Sequence, residues 1–233
     1  MNAPSAAPSE VVFLIDVDNT LLDNDRVSQD LSEHLQTELG TACRKRYFEI
    51  FEDLRAELGY TDYLGTLQRL RNEDPDNPRL LLMSSFLVDY PFSDRLYPRA
   101  LDVIHHLSKI GPTVILSDGD VVFQPRKIQR SGLWEAVGGN VLIYIHKEQM
   151  LDAVAKHHPA TRYVMIDDKV RILAAMKAAW GSKLTTVFPR QGHYALDAKQ
   201  LASFPTPDVT IEHIGDLLGL DIPAMLGAAT HIR

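Results

Sequence analysis

Residues Val11–Ile15 read VVFLI, an unbroken apolar run that stops abruptly at Asp16. No polar residue alternates within it, which is expected where both faces are buried in a parallel sheet covered by helices. Further runs of the same kind follow at Thr113–Leu116, Asn140–Ile145, Arg162–Ile166 and Leu184–Phe188. The segments between them carry helical signals. Pro98–Ile110 has proline in its first turn and Gly111 just beyond its end. Lys169–Trp180 sets Ile172, Met176 and Ala179 along one face, ahead of Gly181. Strands alternating with such helices predict an α/β fold, a doubly wound parallel sheet whose chemistry gathers at the carboxyl ends of its strands.

One stretch departs from this pattern. Between Leu22 and Asp94 only helical signals occur. Ser28 is placed to cap a helix reaching toward Leu39 and Gly40, and Tyr47, Phe51, Leu54 and Leu58 stripe a second that closes at Gly59. Thr61–Arg71 and Leu80–Val88 suggest two more, parted by the turn-rich Asp74–Pro78. The expected division is a loose tail at 1–10, an α/β core made of 11–22 and 95–233, and a helical cap at 23–94. A chain of 233 residues, 45% hydrophobic and 24% charged, suffices for one such core with a small added module.

The net charge of −7 argues against nucleic acid or an anionic membrane as partner. A small anionic substrate remains open, because lysines, backbone amides or a metal set the local field. The longest apolar runs are too short to span a bilayer. Cys43, the only cysteine, excludes an internal disulfide or a thiolate metal cluster. Met1–Glu10, rich in Ala, Pro and Ser, lacks the basic start and apolar segment of a signal peptide. A cytoplasmic protein, monomeric or homodimeric, is expected.

Asp16 and Asp18 follow the first strand. Two positions apart in extended backbone, their side chains project to the same side, so both carboxylates face one crevice. Neighbouring carboxylates raise each other's pKa unless a cation separates their roles. A divalent ion would hold Asp16 ionised as a nucleophile and leave Asp18 to exchange a proton. Taken alone, the pair reads equally well as an acidic turn or helix cap. Later strand ends shift that balance. Ser117 follows VIL and opens SDGD, where a hydroxyl and the amides of the Gly119 loop suit phosphoryl oxygens. Lys147 follows VLIYIH, with an ammonium suited to neutralising a transferring group, and Asp167 and Asp168 follow YVMI, where carboxylates would complete a magnesium site.

In order and spacing these residues resemble the motifs of the haloacid dehalogenase superfamily. Its D-x-D-x-T segment is matched by Asp16-Val17-Asp18-Asn19-Thr20, its second motif by Ser117, its third by Lys147 and its fourth by Asp167-Asp168. The helical insertion resembles the C1 cap of that family, and the likeness spans Val11 to Phe188. The resemblance implies that Asp16 attacks phosphorus and becomes an aspartyl-phosphate, while Asp18 protonates the leaving oxygen and then activates water. Ser117 and Lys147 would complete the catalytic set. Thr20 would brace the loop and stand with Ser117, Asp118, Gly119 and Lys147 around the phosphate. Mg2+ would be held by Asp16, the Asp18 backbone carbonyl and Asp167, with Asp168 bound through water or orienting the others.

The resemblance also separates branches. Dehalogenases of the superfamily lack an acid at the Asp18 position, so phosphoryl transfer is favoured over carbon–halogen cleavage. The expected activity is magnesium-dependent hydrolysis of a small phosphorylated metabolite; the alternatives are a phosphomutase and a phosphoacceptor or binding protein without turnover. Phosphonate hydrolysis is disfavoured, because Lys45, the one lysine of the cap, sits in an exposed-looking RKR run. Two departures from the family pattern stand out: Ser-Asp-Gly where many relatives have Ser or Thr followed by Asn, and DDKVRIL, with Lys169 beside the acidic pair and no Gly before it.

Other residues compete for roles. Lys127 is the runner-up to Lys147, but its helical segment Gln124–Ser131 suggests a solvated face. Arg190 reads as a pocket-rim or a plain surface residue. His105–His106 and His157–His158 are neighbours on helices, where adjacent positions diverge by about 100°, so neither pair chelates an ion readily. His146, Trp134 and Trp180 read as packing residues. Substrate selection is expected from the cap, around Asn24–Arg26 and Tyr60–Tyr63.

Overall fold

The computed structural model describes residues 8–228. Strands β1 (Ser9–Ile15), β2 (Thr113–Asp118), β3 (Val141–Tyr144), β4 (Ala160–Ile166), β5 (Leu184–Pro189) and β6 (Val209–Ile211) form one sheet in the order β3-β2-β1-β4-β5-β6. Every pairing is parallel, with Phe13 opposite Thr113 on one side and Val164 on the other. Helices α1 (Asn24–Leu58), α2 (Tyr63–Glu73) and α3 (Arg79–Asp89) lie between β1 and β2. The remaining connections carry α4 (Ala100–Ser108), α5 (Phe123–Arg130), α6 (Leu133–Ala136), α7 (Leu151–His157), α8 (Val170–Trp180) and α9 (Ala198–Ala202), and α10 (Ile222–Ala228) follows β6.

The alternation of β1 divides the core. Val11, Phe13 and Ile15 pack on one side with Val103, Ile104 and Leu107 of α4, while Val12 and Leu14 pack on the other with Ile172, Leu173 and Met176 of α8. A strand covered on both faces has no polar side, which is why its sequence shows no alternation. β3 is the edge strand beside β2 and is only half-buried. The expected tail is shorter than ten residues, since Ser9 and Glu10 already belong to β1 and Ser9 pairs with Ala160; residues 1–7 lie outside those described. β6 was not anticipated.

The insertion is helical throughout its long elements. Gly40 (φ 82°, ψ 171°) breaks α1 into two arms, so four helical segments are present, as the periodicity predicts. The first is capped by Asp23, whose side chain accepts from the Arg26 amide, and not by Ser28, whose hydroxyl meets Tyr63 Oη at 3.0 Å. Tyr47, Phe51 and Leu54 turn inward, and Gly59, in the left-handed region at φ 79°, ends the helix. A Cβ there would lie 2.8 Å from His146, so this helix end sits directly on the core loop after β3. The insertion leaves and rejoins the core through paired backbone, Asp23 N donating to Arg95 O (2.8 Å) and Tyr97 N to Leu21 O (2.9 Å). No helix among the described residues is long and apolar enough to cross a membrane.

Candidate active site

The sheet order reverses around β1, and in such sheets the crevice beyond the carboxyl ends at that point is the natural ligand site. β1, β2, β3 and β4 all release their chains there. Asp16 leaves β1 with its amide bonded to Ile166 O of β4 (2.9 Å), Ser117 is on β2, Lys147 opens a short 3-10 turn after β3, and Asp167 and Asp168 follow β4. All five are buried.

Lys147 is the hub. Its Nζ lies 2.5 Å from Asp16 Oδ1, 2.7 Å from Asp167 Oδ2 and 3.2 Å from the Leu116 carbonyl. Burial disfavours the charge on this ammonium, but the carboxylates of Asp16, Asp167 and Asp118 together outweigh it and hold the pKa above its ordinary value. For Asp16 the balance falls the other way: burial, only partly offset by Lys147, pushes its carboxyl up to about 6. One cation shared between carboxylates cannot satisfy both.

Asp16, Asp167 and Asp168 each offer an oxygen, all within 4.8 Å of one another. Asp16 Oδ2 and both oxygens of Asp168 are buried without a hydrogen-bond partner, and burial raises Asp168 well above the usual carboxylate range. Orphaned buried carboxylate oxygens in a group of this size fit a hard divalent cation, which takes oxygen ligands and cancels their charge. Asp167 is better served, with Oδ2 on Lys147 and Oδ1 accepting from the Lys169 amide at 2.8 Å.

The surrounding loops explain this convergence. Thr20 Oγ1 accepts from the Asp168 amide at 3.1 Å, locking the β1 loop to the β4 loop. Asn19 takes a left-handed conformation (φ 58°), stabilised because its Oδ1 accepts from the amides of Asn24 and Asp25 at the start of α1. Asp118 Oδ1 accepts from the Lys147 amide at 2.7 Å, so the acid in the Ser-Asp-Gly departure anchors the lysine turn. The Gly119 amide does not wait for a ligand as expected; it donates to Tyr144 O at 2.9 Å. Gly119 instead admits Gln124, since a Cβ there would lie 2.7 Å from Gln124 Cβ.

Asp18 stands apart from the cluster. Its side chain is 22% exposed and lines two cavities of about 180 and 420 Å³ between core and insertion. Arg55, Thr61, Lys169 and Tyr194 line both; Tyr60 and His146 border the smaller, Asn24, Ser28, Phe51 and Tyr63 the larger. A cavity of about 440 Å³ beside α8 contains none of these residues. Arg26 lies outside the cleft, and Arg190 is an exposed residue 3.5 Å from Glu212. The histidine pairs are surface or helix-end residues, and Trp180 stacks on Tyr163 at 4.2 Å.

Lys127 overturns its expectation. Its side chain is 1% exposed, and its ammonium meets Asp18 Oδ1 at 2.6 Å. The available signal was its i, i+4 spacing from Phe123, which puts both on one buried face of α5. Gln124 and Gln191 were also missed. Gln124 Nε2 donates to Ser117 Oγ (2.9 Å) and Asp18 Oδ2 (3.3 Å), and Gln191 Nε2 donates to Thr20 O at 3.1 Å.

Buried carboxylates and a lysine at the switch point of a parallel sheet, beneath a helical insertion, define a hydrolase of the haloacid dehalogenase type. Residues 11–179 match the family model of haloacid dehalogenase-like hydrolases, and the chain belongs to that family. It is similar to a haloacid dehalogenase-like hydrolase of Burkholderia xenovorans LB400, with 65% identity, a TM-score of 0.89, and coverage of 93% of this chain and 98% of that one. A magnesium-bound HAD-hydrolase of Bacillus subtilis (18% identity, TM-score 0.60, 91% and 98% coverage) shares the fold. So does the L-2-haloacid dehalogenase of Xanthobacter autotrophicus with covalently bound chloropropionic acid (18%, 0.58, 88% and 96%). No functionally curated protein matches the sequence.

Proposed function

We infer that this enzyme is a magnesium-dependent phosphatase that cleaves a small phosphate monoester through an aspartyl-phosphate at Asp16. The observation that carries this reading is Asp18, a second carboxylate open to the cleft and outside the buried cluster. Halide departs without a proton, whereas an alkoxide or phenoxide oxygen needs one as its bond to phosphorus breaks. An acid in this position therefore suits a phosphate ester better than a halogenated carbon.

In this reading Asp16 is the nucleophile, oriented through the Lys147 contact to its Oδ1, and its unpartnered Oδ2 remains available. Lys147 also offsets charge on the transferring group, and the Ser117 hydroxyl, fixed by Gln124, supplies a polar contact. Asp18 gives a proton to the leaving oxygen and then takes one from the water that hydrolyses the intermediate. Asp16, Asp167 and Asp168, each with a buried oxygen that accepts no hydrogen bond, would hold Mg2+. When bound, Mg2+ supplies positive charge that screens the carboxylates from the phosphoryl oxygens. Residues 23–94 serve as the cap that shields the cleft from water, and Asn24, Tyr60, Thr61 and Tyr63 select the leaving group.

The test is phosphate release from p-nitrophenyl phosphate with Mg2+, lost in Asp16→Asn. Activity that survives this substitution, or that ignores a chelator, would sink the reading. Chloride release from 2-chloropropionate without added metal would place the chain with the dehalogenases instead.

A further inference from the structure

Lys127 and Gln124 belong to α5, a helix that supplies no carboxylate or cation to the Asp16 cluster, yet between them they hold both oxygens of Asp18. Lys127 Nζ lies 2.6 Å from Oδ1 and Gln124 Nε2 lies 3.3 Å from Oδ2. The same ammonium is 3.0 Å from Asn24 Oδ1, on the first residue of α1. Asn24 Nδ2 in turn lies 3.4 Å from Tyr63 Oη, which meets Ser28 Oγ at 3.0 Å. The contact is reinforced by packing, with the Phe123 and Tyr63 rings 5.0 Å apart.

A buried lysine is expensive for packing alone. Taking an ammonium out of water carries a cost that an apolar side chain of similar length avoids. Apart from the Phe123 ring of its own helix, 5.3 Å away, its partners are one acid and the first residue of α1, so it joins those two elements.

We propose that Lys127 is a positioning residue that holds the Asp18 carboxylate in the cleft and ties it to the insertion through Asn24. This rests on the reading of Asp18 as the acid–base group. A carboxylate gripped at both oxygens is held in one orientation toward the phosphoryl group, and the grip depends on where α1 begins. Displacing α1 from the core would release one of the partners of Lys127.

The experiment compares Lys127→Met, Asp18→Asn and the double variant with Mg2+ and p-nitrophenyl phosphate. Lys127→Met should lower kcat on the order of tenfold to a hundredfold, the scale expected of a misplaced catalytic group, with KM little changed. In the Asp18→Asn background the same substitution should cause no further loss. An equal loss in both backgrounds, or none in either, would overturn the proposal. Lys127→Arg, which keeps the charge and the reach, should restore part of the activity and serves as the folded variant if Lys127→Met does not fold. A crystal structure of Lys127→Met, or of Lys127→Gln if the Met variant does not fold, should show the Asp18 side chain turned from its place; an unmoved Asp18 overturns the proposal. That readout stands even if the wild-type enzyme releases no phosphate, a result that would instead remove the phosphatase reading.

Discussion

The hydroxyl of Thr20 accepts a hydrogen bond from the backbone amide of Asp168 at 3.1 Å, joining the loops that follow two adjacent strands. Thr20 is fully buried, so no water can replace it. Thr20→Val keeps the shape and strands the Asp168 amide, at a cost of about 1–3 kcal/mol. Because Asp168 is then less firmly oriented, magnesium affinity should fall about tenfold or more. Denaturant unfolding and a Mg2+ titration check the two effects separately.

The unpartnered oxygens of Asp16 and Asp168 make a second prediction. A cation that binds the folded state alone stabilises it, by about 2.7 kcal/mol at a concentration a hundredfold above Kd. Mg2+ should therefore raise Tm relative to protein in EDTA. Asp168→Asn should erase most of that rise, and an undiminished shift would move the cation elsewhere.

Without metal, the same cluster dictates a pH dependence of unusual sign. Burial raises Asp16 from 3.8 to about 6 and raises Asp168 as well. Between pH 4 and 6 the folded protein thus holds protons that the unfolded chain has lost, which favours folding as pH falls. Stability in EDTA should gain from this cluster as pH is lowered from 7 to 5. Asp16→Asn should flatten that part of the curve, as read by denaturant midpoints across the range.

Asp208 behaves oppositely. Burial disfavours its charge, but Lys177 Nζ at 2.7 Å and the Thr186 amide and hydroxyl at 2.8 and 3.0 Å outweigh it and lower the pKa. Its contribution is present above about pH 4, its ordinary range, and is lost as pH falls through the depressed value. Asp208→Ala should cost about 1 kcal/mol at pH 7, because the partly exposed site is screened by solvent, and less at pH 3, a difference that acid titration of both proteins measures.

What could be read in advance follows physical scale. β1, β2, β4 and β5 announce themselves because both faces are buried, so apolar residues run without interruption. β6 has three residues, one of them exposed, after a proline-rich turn, too short for any period to register. Asp16, Lys147 and the acidic pair stand at strand ends and were legible for that reason. Lys127 was not, because a lysine among polar neighbours looks solvated until the fold brings Asp18 and Asn24 against it. Asp23 and Ser28 are both competent helix caps, and only the position of Tyr63 shows that Ser28 is engaged elsewhere.

The placing of β1 between β2 and β4 has a consequence for how the chain reaches this structure. The strand that carries Asp16 is made before both of its partners, which begin at Thr113 and Ala160. Pairings separated by on the order of a hundred residues form slowly, because long loops must close before they are rewarded. During synthesis β1 waits as an unpaired apolar segment while the helical insertion, built from local contacts, can already fold. Ribosome-stalled chains ending before Thr113 should therefore protect α1–α3 from protease while leaving β1 open to chaperones, and the carboxylate cluster, which needs β4, should be among the last features of the native state to assemble.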